Sequence, residues 1–498
     1  ELWAAARRAR RFAEEQSESA KVDAFTTLAD QLRPITLPER IAVYATAALW
    51  GDHDLAEIDE PTDDSSTYKA AYEAIDAECQ AIGEELASTP DLFIEHIDLL
   101  RASDQNRIGQ VGRGVAVATS TPEEHWNFIR EKVIDNADNG QADFVNLALG
   151  YVGGLEERDP SLIDGILDDV MSDAALRRYV VSFQSRVGID EKGLARLIEA
   201  TRSGDVPVER FKWLAWGRTN DVLSSEQFHA LWTAVHAMDN SHDTALELLY
   251  MRCHSMTRDG EAGLGDGEIR CAETLIKGLD RFVRKDQEGH RVAEIIKACI
   301  DPDMHEDLAR DSLRKLRDQL SRHEVSSYDC AHFIAALSEK FPRVVLEELL
   351  ESTKEDVDLD EYMVFVATRP VGSLVPPFWG VPTDILFGWV DEAPQERVAV
   401  AANMIRAWTS EGEKSQDAEP ELSWTDAAMD LLERSDDKEK VLNAYLSRMH
   451  PTSWSGSLAE NMRKKLPLLE KLKAHSDETV AAWASSAAES FSEHVELE

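Results

Sequence analysis

Apolar residues recur along almost the whole chain at three- and four-residue spacing, the pattern that turns one face of a helix inward. Read this way, the sequence predicts helices at 2–16, 22–32, 38–49, 67–87, 91–101, 122–137, 141–155, 160–171, 173–186, 190–202, 207–215, 224–237 and 241–255. The pattern continues at 267–283, 289–300, 303–321, 328–339, 341–352, 383–390, 393–409, 424–434, 437–447, 455–473 and 476–493. Helices of ~10 to 20 residues joined by short connectors are what packed antiparallel helices require. Several starts carry capping chemistry. Ser224-Ser225-Glu226 and Ser120-Thr121-Pro122-Glu123 place a hydroxyl, an early proline or an acid ahead of an apolar face.

A weak internal period refines this into an expected architecture. The segments Gly193–Ala200 and Phe228–Val235 align at a 35-residue offset, and a looser copy begins at Asp164, 29 residues before Gly193. Later helix pairs at 327–352, 383–409, 424–447 and 455–493 follow the same grammar. Spacings of ~30 to 45 residues with two helices each match HEAT-like or TPR-like repeats. Each pair leaves an apolar face that only a stacked neighbour covers. The expected fold is therefore all-α, an α-solenoid of stacked antiparallel helix pairs. Its blocks are an N-terminal helical segment at 1–50, repeat blocks at 67–260 and 261–409, and a HEAT-like cap at 424–498. A start at Glu1 and an end at Leu497-Glu498 suggest a piece of something longer.

Three stretches interrupt the helical pattern. Residues 51–66 and 410–423 are acidic and turn-rich, so both are expected to be exposed linkers. Residues 368–382 (TRPVGSLVPPFWGVP) carry four prolines and two adjacent aromatics, which makes an apolar connector.

Charge changes the picture of what the chain binds. There are 95 acidic against 53 basic residues, a formal net charge of −42, which repels phosphate backbones and anionic headgroups. Neither nucleic acid nor membrane is the expected partner, whereas a basic protein is electrostatically favoured. Arg7, Arg8, Arg10 and Arg11 form the one dense basic cluster, expected to be a solvated face of a terminal helix. Five dispersed cysteines without a C-x-x-C pair read as buried thiols in a reducing compartment, which points to the cytoplasm. No stretch offers the ~18 apolar residues of a membrane span.

The C-terminal third carries a family resemblance. Segment 383–408 has Trp389-Val-Asp-Glu-Ala-Pro394-Gln-Glu-Arg397 leading into an Ala-rich helix, and looks like a degenerate HEAT repeat. The stretch Pro451-Thr-Ser-Trp454-Ser-Gly456-Ser-Leu-Ala459, followed by Asp477-Glu-Thr-Val480-Ala-Ala-Trp483-Ala484, has the same character. Over about residues 160–498 the chain resembles the C-terminal helical regions of large bacterial antiphage proteins, STAND-type NTPases and related multidomain defence factors. The resemblance implies a ligand-sensing or scaffolding part whose protein ligand is a phage component. No Walker A sequence is present, so none of that family's catalytic residues carries over.

Candidate chemistry is thin. His229, His236 and His242 lie close in sequence, but His229 and His236 stand two helical turns, roughly 10 Å, apart. Glu226-Gln-Phe-His229 is a single E-x-x-H without the second copy that a metal-dependent helical hydrolase needs. Cys330 and His332 sit at i and i+2, on different faces. Gly263-Leu-Gly265-Asp-Gly267 lacks a preceding strand and reads as a loop opening a helix near 268. Asp301-Pro-Asp303 and Asp356–Glu361 lack the glycine and terminal acid of a calcium loop. No catalytic residue, metal or cofactor is assigned. Phe378, Trp379, Trp389 and Trp454 are the candidate partner-binding residues, since rigid aromatics make contact area at low entropy cost. The competing reading is that they plug seams between repeats. Self-association into a scaffold is the alternative function, and an all-α hydrolase a second one.

Overall fold

The computed structural model of the chain describes residues 2–46, 64–100, 107–138, 144–258, 263–278, 286–322, 324–325, 327–351, 377–411, 421–450 and 456–497. Over these residues the protein is all-α apart from one two-stranded ribbon. It divides into two compact units, Glu1–Thr244 and Ala245–Glu498.

Unit 1 contains α1 (Leu2–Glu15), α2 (Ser19–Leu32), α3 (Leu37–Arg40), α4 (Asp64–Leu86), α5 (Pro90–His96), α6 (Arg107–Ala118), α7 (Pro122–Asp138) and α8 (Val145–Arg158). It continues with α9 (Ile163–Ser172), α10 (Ala174–Arg177), α11 (Val180–Gln184), α12 (Glu191–Ser203) and α13 (Ser225–His236). The dividing point falls inside α14 (His242–Arg258). Unit 2 contains α15 (Asp266–Lys277), α16 (Asp286–Cys299), α17 (Glu306–Ser321), α18 (Ser327–Lys340), α19 (Pro342–Leu350), α20 (Thr383–Glu392) and α21 (Pro394–Met404). Strands β1 (Trp408–Glu411) and β2 (Glu421–Trp424) precede α22 (Asp426–Arg434), α23 (Lys438–Met449), α24 (Leu458–Arg463), α25 (Leu466–Leu472) and α26 (Glu478–Leu497).

Within each unit, helices pack on their next-but-one neighbours: α4 on α6 and α6 on α8 in the first, α15 on α17, α17 on α19, α16 on α18 and α21 on α23 in the second. Stacked helix pairs produce this pattern. Side-chain hydrogen bonds also join helices distant in sequence. Lys192 donates to Asp164, 28 residues back, and Arg343 to Glu392, 49 residues on. The first of these, with Arg196 on Asp164 and Asp168, joins two copies of the weak sequence repeat.

Local departures from the expected elements have local causes. The helix expected at 38–49 is α3 followed by a π turn, Ile41–Ala45. The one expected at 173–186 is split into α10 and α11 by Tyr179, whose ψ of 0° leaves the helical range. The 207–215 segment is a 3-10 turn, Val208–Ala215. The largest difference is α6. Its apolar stripe of Ile108, Val111 and Val115 is short and interrupted by three glycines, yet the helix packs between α4 and α8 in unit 1.

The acidic stretch at 410–423 was expected to be an exposed linker, but its ends form the β ribbon, with Trp408 opposite Trp424. The two indoles meet edge to face at 6.1 Å, and Trp424 Nε1 donates to the Leu468 carbonyl. Both pack against the C-terminal core of Met449, Met462, Leu468, Leu469 and Phe491. Aromatic burial at the flanks outweighs the acidic composition between them.

Candidate functional site: a glycine-floored groove in unit 1

The groove begins with backbone contact. Gly83 lies on α4, Gly109, Gly112 and Gly114 on α6, and Gly150, Gly153 and Gly154 on α8. A methyl group added at Gly150 would stand 1.8 Å from the Gly109 carbonyl oxygen, and one at Gly112 2.1 Å from that of Leu147. On the other side of α6, methyls at Gly83 and Gly114 would come within 2.0 Å of the Val111 and Gln80 oxygens. The three helices therefore approach until main chain touches main chain, a distance only glycine permits. Each interior glycine costs its helix about 1 kcal/mol relative to alanine, so α6 exists through its neighbours. Arg158 of α8 completes it by donating Nη1 to the Ala116 and Thr119 carbonyls at the α6 C-terminus.

Where the glycines do not touch a neighbour, they leave a hollow. Gly153 faces open space, with nothing within 4 Å of an added methyl. It lines a cleft of about 880 Å³ with Tyr72, Asp76, Arg107, Glu156 and Arg186. A second cleft of about 370 Å³ is walled by Ile163, Leu167, Val187 and Val222 and shares Glu156 with the first. The two clefts have Glu156 in common, and together they make up the groove surface of unit 1.

Charge in the groove is mixed and partly unsatisfied. Arg113 donates Nη2 to Glu157 at 2.6 Å, and Gln110 donates Nε2 to Asp76 at 3.3 Å. Burial pushes the Asp76 carboxyl up from its ordinary range and lowers Arg107. The half-buried Glu156 and the exposed Arg186 have no ion-pair or side-chain hydrogen-bond partner among the described residues. A ligand with both donors and acceptors would find an acceptor in one and a donor fork in the other. No nucleophile–base pair is formed by these lining residues.

The aromatic candidates lie elsewhere. Phe378 is 2% exposed and Trp389 is fully buried, so neither offers surface to a partner. Trp389 is held from three sides: its Nε1 donates to Glu351, its carbonyl accepts from Arg397 Nη1, and the Arg397 guanidinium lies 4.7 Å over its ring. Trp379 is 37% exposed with Arg406 over its ring, and Trp454 lies outside the described residues, as do 368–376 of the apolar connector. A different pair is exposed: Trp213 and Trp216, their rings 6.1 Å apart, which the reading of the sequence did not single out.

The other candidates resolve into local structure. His236 stacks on Trp232 at 4.7 Å, and His332 meets His290 edge to face, while Cys330 is buried. Gly265 precedes α15, and its N–H donates to Glu268, so the glycine loop opens a helix as its sequence suggests. Asp301 accepts from the Asp303 N–H in the turn before α17. In the N-terminal cluster Arg7 is buried under Trp3, 5.0 Å from its ring, and Arg10 pairs with Glu14, so only part of that face is solvated. Among the described residues no group of three or more His, Cys, Asp or Glu side chains is placed to hold a metal, and no helix is long and apolar enough to cross a membrane.

Comparison with known proteins adds no family: no family model, curated protein or solved structure matches the chain.

Proposed function

We propose that this chain is a helical-repeat binding module whose ligand is a segment of a protein partner lying in the unit 1 groove. The observation that carries the reading is the groove's construction. Six glycines, costly to three helices, lie where those helices come into backbone contact, and a seventh, the bare Gly153, borders a hollow large enough for several side chains. Two oppositely charged side chains without side-chain partners among the described residues, Glu156 and Arg186, line it. Such a surface fits a polypeptide, which presents donors and acceptors along its length. The sensor version, in which the partner is a phage protein, comes from the family resemblance of the C-terminal third, and a cytoplasmic site of action belongs with it.

The test uses Gly153→Leu, which fills the cleft from a position with room for the side chain. Wild-type and variant chains serve as baits in lysates of phage-infected and uninfected bacteria. Retention of a protein by wild type that is lost with the variant, at equal unfolding midpoints, supports the groove. Retention from infected cells alone supports the sensor version. The same proteins held by both baits would sink the groove, and copies of the chain as the only catch would turn the function to scaffolding.

A further inference from the structure

All five cysteines are buried and none is in a disulfide. Two of them nonetheless face each other in unit 2. Cys253 on α14 and Cys299, the last residue of α16, bring their sulfurs to 3.4 Å, with 2% and 4% of each residue exposed. They are 46 positions apart, and α15 lies between them in sequence. The third thiol of the region, Cys271 on α15, is fully buried and makes no sulfur contact at hydrogen-bond distance with either. A sulfur pair at this distance lies roughly 1.4 Å beyond a covalent S–S bond.

We propose that Cys253 and Cys299 are a thiol–disulfide pair, driven by hydrogen peroxide, that latches α14 to α16. One sulfur, as thiolate, attacks the peroxide O–O bond and becomes a sulfenic acid, releasing hydroxide, which takes up the proton the thiol gave. The second thiol then attacks the sulfenic sulfur, forming S–S and expelling the hydroxyl, which leaves with that thiol's proton as water. In sum two thiols lose two electrons and two protons, and one peroxide becomes two waters. The two steps make opposite demands on the fold. The contact with Cys299 and burial raise the Cys253 thiol well above its ordinary range, so the first step waits for the core to open. The second is fast once the core closes, because the resolving sulfur is already in place. The latch is therefore slow to set and selective for this pair.

The experiment needs only the full chain. It is treated with hydrogen peroxide under native conditions, its remaining thiols are alkylated after unfolding, and its peptides are mapped by mass spectrometry. The expected product is Cys253 linked to Cys299 with the loss of two hydrogens, Cys79, Cys271 and Cys330 alkylated, and full reversal by a thiol reductant. Linkage through Cys271, sulfinic acid at either cysteine, or no linkage while an added free thiol is consumed would overturn the pairing. The oxidised chain should also unfold at a higher temperature than the reduced one, because closing so long a loop restricts the unfolded state. An unchanged or lower midpoint would overturn the latch even if the bond forms.

Discussion

Unit 1 and unit 2 both stack helices on next-but-one neighbours, but they join them by opposite means. In the α4–α6–α8 stack the side chain is removed, and glycine lets carbonyl oxygens meet Cα atoms directly. In the α17–α19–α20–α21 stack the side chain is extended. Arg314 and Arg310 hold Glu348, Arg310 and Arg343 hold Glu347, Arg343 and Arg397 hold Glu392, and Arg397 reaches Glu351. The first seam is short-ranged and tolerates no added atom. The second is long-ranged, partly solvated and open to salt. A seam of glycines fixes one spacing, whereas a ladder of ion pairs can adjust.

That contrast can be broken at its stiffest point first. Gly150→Ala and Gly112→Ala each drive a methyl into a carbonyl oxygen, so each should destabilise unit 1 by about 3 kcal/mol or more, read from denaturant unfolding. A loss below about 1 kcal/mol would mean that the helices can slide apart and that the backbone contact is not a constraint. Arg310→Ala removes one rung of the ladder and should cost about 1 kcal/mol, since its partners are partly solvated and screened. Half a molar sodium chloride should shrink that cost while leaving the effect of Gly150→Ala unchanged.

Acid offers a third separation. Arg343 and Arg397 hold the Glu392 carboxyl below its ordinary range. Glu347 is pushed up by burial, but Arg343 and Arg310 outweigh that and lower it. Because the folded values are depressed, the unfolded chain binds more protons as pH falls below the ordinary carboxylate value near 4.5. The ladder's stabilisation is whole above that pH and is lost as pH falls through the folded values. Glu392→Gln should flatten the acid limb of the unfolding curve, and an unaltered limb would remove the ladder from the account. The smallest effect has the opposite sign. Gly153→Ala meets no neighbour, so it should stabilise α8 by about 0.5–1 kcal/mol, which marks this glycine as kept for the hollow rather than the seam.

What could be read from the sequence follows from the same physics. Helices whose burial depends on apolar stripes, such as α12, α13 and α17, stand close to their expected bounds because periodicity is the signal of that burial. In α6 the stripe of Ile108, Val111 and Val115 is short and shares its helix with three glycines, which read as turn residues and weaken the signal. Gly109-x-x-Gly112 and Gly150-x-x-Gly153-Gly154, at helical spacing within apolar surroundings, were the clue available. The β ribbon was hidden by its acidic middle. The groove itself had no motif to find, because it is made of missing side chains on helices far apart in sequence. The aromatics were visible, but prominence in sequence does not separate a core indole such as Trp389 from an exposed one such as Trp216.

A helix with three interior glycines cannot nucleate by itself in water. The segment 107–118 must therefore coil only against partners already in place, which makes α6 the keystone of a cooperative block reaching from Asp64 to Arg158. Its amide protons can exchange with solvent only when that block opens, so their protection reports the integrity of the whole stack. Anything that occupies the hollow beside α6 would gain its affinity from a surface that vanishes the moment any one of the three helices lets go.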